Sequence, residues 1–64
     1  MEMSRSERLR VIFGPILSNL YDWREHPEHY APGFDTERMV EEYKRGYGVT
    51  PEEWKDLEDW YHGV

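Results

Sequence analysis

The side chains best equipped for chemistry are His26 and His29, set with Asp22, Glu25 and Glu28 in a stretch of eight residues. Imidazole and carboxylate together form a ligand set suited to Zn²⁺ or a similar ion. Pro27 stands between the two histidines, however, and interrupts the helix that would present them on one face. His62 is the only other imidazole in the chain. The spacing therefore predicts an exposed polar loop with no metal and no cofactor, His26 and His29 being the weak candidates for ligands.

Covalent catalysis needs a nucleophile, a base and a group that orients the base. The chain has no Cys, and its serines are Ser4, Ser6 and Ser18, the first two beside an expected helix start. Carboxylates are plentiful, but acid–base catalysis needs one that is buried and raised in pKa. Almost all of these fall on water-facing arcs, so no enzymatic activity is expected.

A third cluster is acidic. Glu52, Glu53, Asp56 and Asp59 fall within about 120° of one helix wheel. The whole chain carries 8 Lys and Arg against 14 Asp and Glu, a net charge of −6. The excess lies in residues 25–64, which hold four basic and eleven acidic side chains. Such a field opposes docking on a phosphate backbone or an anionic bilayer. Opposite to it in character are Tyr30, Phe34, Tyr47 and Trp60, placed in loops or at the edges of apolar stripes. Aromatic side chains rimmed by charge are favoured anchors for a protein partner.

Three elements must position these groups. Leu9, Ile12, Phe13, Ile16, Leu17, Leu20 and Trp23 form one stripe about 140° wide, predicting an amphipathic helix of about 19 residues. Ser4 followed by Glu7 marks its start as a capping box. Gly14-Pro15 lies inside it. Because the stripe keeps phase across the proline, a kinked continuous helix is expected, the alternative being a clean break at Gly14.

Residues 25–34, with two prolines and a Pro-Gly pair, predict a loop. Asp35 reads as the N-cap of a second helix, with Met39, Val40, Tyr43 and Tyr47 on one face and Gly46 and Gly48 as the stop. Thr50-Pro51-Glu52-Glu53 then combines an N-cap, a first-turn proline and a capping-box glutamate. Trp54, Leu57, Trp60 and Tyr61 share one arc of this third helix, and Gly63 closes it. The fold class is therefore all-α, one small three-helix domain over residues 1–64. Its core is expected to be aromatic-rich, drawing on Trp23, Tyr43, Trp54, Leu57 and Tyr61.

The last two helices have the outline of a helix-turn-helix. The would-be recognition helix carries Glu52, Glu53, Asp56, Glu58 and Asp59 against Lys55 alone, and Lys44 or Glu42 stands where a small residue is usual. Direct nucleic-acid binding is disfavoured, unless Arg5, Arg8 and Arg10 of the first helix do the docking.

The expected function is a small non-enzymatic interaction module, an adaptor, accessory subunit or inhibitor, whose partner is another protein. Its contact residues would be Tyr30, Phe34, Tyr47, Trp60, Glu52, Glu53, Asp56 and Asp59. The alternative is an acidic mimic of nucleic acid that blocks a nucleic-acid-binding protein, of the type phages and mobile elements encode. A homodimer would bury further apolar surface of so thin a core. With no cysteine, no export signal and no membrane-spanning stretch, the expected location is the cytoplasm.

Overall fold

A computed structural model describes residues 2–63. Helix α1 runs from Arg5 to Glu25, a 3-10 turn spans Pro27–His29, α2 runs from Thr36 to Gly46 and α3 from Pro51 to His62. The expected three-helix, all-α architecture is what the chain adopts, and among the described residues there is no strand. None of the described helices is long and apolar enough to cross a membrane.

Each helix begins where its cap dictates. Ser4 Oγ accepts from the Glu7 N–H at 3.2 Å. Asp35 Oδ1 accepts from the Arg38 N–H at 3.1 Å. At α3 the box is reciprocal: Thr50 Oγ1 accepts from the Glu53 N–H at 3.1 Å, and Glu53 Oε1 accepts from the Thr50 N–H at 3.0 Å. Each such bond satisfies a donor that has no partner within the first helical turn. Gly63 ends α3 in the left-handed region at φ 75°, where a Cβ would be strained.

Helix α1 continues through Pro15 without interruption, which excludes the break at Gly14. It is the hub of the fold, since α2 and α3 both pack principally on it. Its seam of Leu9, Phe13, Leu17 and Leu20 is buried along its length, and each flanking helix adds one buried aliphatic, Val40 from α2 and Leu57 from α3. Ile12, Ile16, Tyr21, Trp23, Val49 and Trp54 close around this core while remaining partly exposed.

The core is therefore aliphatic apart from Phe13, contrary to the aromatic-rich core expected. Tyr43 and Tyr61 lie 43% and 37% exposed. The reason is geometric. A helix with a single neighbour buries a narrower arc than its apolar stripe offers, so residues at the edge of the stripe remain in water.

Thr36, the first residue of α2, is fully buried, and its Oγ1 has no hydrogen-bond partner among the described residues. A buried hydroxyl left unpaired costs about 1–3 kcal/mol. Thr36→Val keeps the shape and removes the orphaned oxygen, so it should stabilise the domain by about 1 kcal/mol. Thermal melts of the two proteins would show it, and a lower midpoint for Thr36→Val would mean that the hydroxyl is paired in solution.

Candidate functional site

Four sets of side chains on the folded chain could meet a ligand or partner. The first is the Trp60 depression between the start of α1 and α3, lined by Ser6, Arg10, Asp56, Asp59 and Gly63. Trp60 is 39% exposed. The Arg10 guanidinium lies over its ring at 5.6 Å from the centroid, and a Cβ on Gly14 would stand 3.5 Å from the ring edge. The indole thus lies in contact range of the middle of α1, at a distance that a Cβ at position 14 would also tolerate. The result is a part-exposed aromatic surface that shares its depression with one cation and two carboxylates.

The second set closes the C-terminal end of α2, where Met39, Glu42, Tyr43 and Tyr47 line a shallow hollow. Tyr47 is 44% exposed, yet its ring meets Phe13 edge to face at 5.9 Å. One side of Tyr47 is therefore fixed by the core while the other faces water. An aromatic held in this way loses little side-chain entropy on binding.

The third set is the acidic arc, which the structure divides. Glu53 belongs to the fold: its carboxylate lies 2.6 Å from Arg5 Nε, and Arg5 Nη2 also donates to the carbonyls of Tyr47 at 3.0 Å and Gly48 at 3.1 Å. This clamp ties the start of α1 to the α2–α3 turn. The Arg5 hydrogen bond, followed by the Thr50 N–H, holds the Glu53 carboxyl down to about 2. Asp59 pairs with Lys55 at 3.4 Å. Glu52 and Asp56 are exposed and make no ion pair among the described residues.

Because the folded-state pKa of Glu53 lies below its ordinary value, the carboxylate contributes stability above the normal glutamate range. That contribution fades as pH falls from about 4.5 towards 2. Thermal midpoints measured across this window should drop more steeply for the natural chain than for Glu53→Gln. Parallel curves would mean that Arg5 does not hold the carboxylate in solution.

The fourth set surrounds the 3-10 turn. Tyr30, expected as an anchor, is instead half-buried and turned inward: its one hydroxyl proton is shared between Asn19 Oδ1 at 2.5 Å and Asp22 Oδ2 at 2.8 Å. The bond to Asp22 raises the phenol's pKa. Phe34 stacks on Tyr30 at 5.4 Å and stays 41% exposed. Its carbonyl accepts from Trp23 Nε1 at 3.1 Å, pinning the loop to α1.

The same turn revises the geometry expected for the histidines. Pro27 does end α1, but it then opens a 3-10 turn in which residues three apart eclipse one another. His26 and His29 are thereby stacked at 4.8 Å between ring centroids, on one face after all.

Sequence reasoning finds the aromatics and the caps. It misses the Arg5 clamp and the Tyr30 hydrogen bonds, which join residues 48 and 8 positions apart and leave no local pattern. In comparison with known proteins, the chain matches no protein-family model, no curated protein and no solved structure.

Proposed function

We propose that this chain is a small non-enzymatic interaction module that binds another protein through aromatic anchors bordered by carboxylates. The observation that carries the reading is Trp60, more than a third exposed on a domain of this size and set in a depression with Asp56 and Asp59. A part-buried indole offers large contact area at low entropic cost, and its acidic rim selects partners with a basic border. Tyr47, Tyr43 and Phe34 supply further exposed aromatic surface. Adaptor, accessory subunit and inhibitor are all roles open to such a module.

The nucleic-acid mimic remains the second reading because Glu52 and Asp56 project from one rigid helix. It is the weaker of the two, since Glu53 and Asp59 are already engaged within the chain. Direct nucleic-acid docking through α1 has less support still: Arg5 is committed to Glu53 and Arg10 to Trp60.

The test is affinity capture from the native cell extract at stepped ionic strength, with the retained proteins identified by mass spectrometry. The reading predicts a discrete protein partner whose retention changes little with salt. Steep loss between low and moderate salt would favour the mimic. Retention of duplex DNA at physiological salt would overturn both. Light scattering beforehand establishes whether the partner is a second copy of this chain.

A further inference from the structure

We propose that His26 and His29, together with the carboxylates of Glu28 and Asp22, form a site for a borderline divalent metal ion of the Zn²⁺ or Ni²⁺ kind. Local geometry brings the set together. The 3-10 turn eclipses the two imidazoles, and the potential ligand atoms of His26, Glu28 and His29 all lie within 4.8 Å of one another. His26 Nδ1 is 3.3 Å from Glu28 Oε1, and His29 Nδ1 is 3.9 Å from Asp22 Oδ2. The two imidazole nitrogens and the Glu28 oxygen make a three-ligand set that matches the preference of these ions for imidazole, and Asp22, beside His29, offers a fourth oxygen.

Ligands sharing one ion at about 2.0–2.2 Å stand no more than about 4 Å apart. The set must therefore contract slightly. His26, Glu28 and His29 are all exposed, so side-chain rotation alone accomplishes this and the core is untouched.

Three further features favour a cation here. The cluster sits at the C-terminal end of α1, where the last carbonyls and the helix dipole concentrate negative charge. The neighbouring guanidinium of Arg24 is drawn away to Glu37 on α2 at 2.9 Å, so it does not neutralise the carboxylates. Tyr30 Oη donates to Asp22 Oδ2 at 2.8 Å, the kind of outer hydrogen bond that fixes a ligating carboxylate in place. Tyr30 thus has a use as a positioning residue for Asp22.

The experiment titrates the tag-free full chain with Zn²⁺ by calorimetry and with Co²⁺ by visible absorption. His26→Ala/His29→Ala and His62→Ala run in parallel. His62 lies apart, within 3.0 Å of Tyr21 Oη, and serves as the control imidazole. The expected result is saturable binding of one ion, with the visible bands of tetrahedral Co²⁺, unchanged in His62→Ala and weakened at least about tenfold in the double variant. A Tyr30→Phe variant should bind more weakly while leaving stoichiometry intact. No saturable binding at millimolar metal would overturn the proposal, as would equal affinity in the natural chain and the double variant. Far-ultraviolet dichroism confirms that each variant is folded, which exposed positions 26 and 29 allow.

Discussion

Phe13→Ala should remove a large part of this domain's stability. Phe13 is 0% exposed, and its ring meets Trp54 at 5.7 Å and Tyr47 at 5.9 Å, both edge to face. Among the described residues it is thus the one buried side chain whose aromatic contacts reach both the end of α2 and the body of α3 from α1. Truncation of a buried Phe costs about 3–5 kcal/mol through lost transfer energy and the cavity left behind. A chain of 64 residues has about 3–10 kcal/mol in all, at the usual stability per residue. The expected readout is a denaturant midpoint lowered by at least about a third, with collapse of helical dichroism where the starting stability is at the low end of that range. Val11→Ala, at a position 60% exposed on the same helix, should change stability by less than about 0.5 kcal/mol. A Phe13→Ala protein as stable as Val11→Ala would refute the packing described for the three helices.

The second large effect has the opposite sign. Pro15 lies inside α1, where it has no N–H to donate to the Val11 carbonyl and its ring crowds the preceding turn. Its side chain is exposed, so replacing it removes nothing from the core. Pro15→Ala should therefore stabilise the domain by about 1–3 kcal/mol. For a domain of this size the thermal midpoint should rise by about 4–8 °C for each kcal/mol. An unchanged or lower midpoint would show that the proline shapes α1 to seat Trp60 against Gly14, making the missing hydrogen bond a requirement of packing.

The contrast between local and distant signals explains how much of this molecule is legible in its sequence. Ser4, Asp35 and Thr50 are legible as helix starts because a cap joins a residue to its neighbours two or three positions on. The seam Leu9, Phe13, Leu17 and Leu20 is legible because the helical period repeats along the chain. The wheel, however, gives the direction of an apolar stripe and says little about how many neighbours will cover it. Tyr43 and Tyr61 have the phase of core residues for that reason, and they lie at its margin because α2 and α3 both lean on α1.

The candidate site follows the same division. Trp60 and Tyr47 are recognisable as stripe-edge aromatics and stay exposed. Tyr30 is similar in sequence, yet the fold brings Asn19 and Asp22 to its hydroxyl. Glu53 is legible as the capping-box glutamate of α3, but the wheel groups it with three other carboxylates, and its ion pair with Arg5 from the far end of the chain leaves no local signal. In the loop, Pro27 breaks α1 as its residue type dictates, but the turn it begins has a period of its own and realigns His26 with His29.

The interaction surface can be tested while its partner is still unidentified, by comparing capture from the native extract on the natural chain and on a Tyr47→Ala/Trp60→Ala variant of matching helical dichroism. A partner retained by the former and lost by the latter, at both low and moderate salt, is the predicted result. Equal retention of the same partner by both proteins would contradict it.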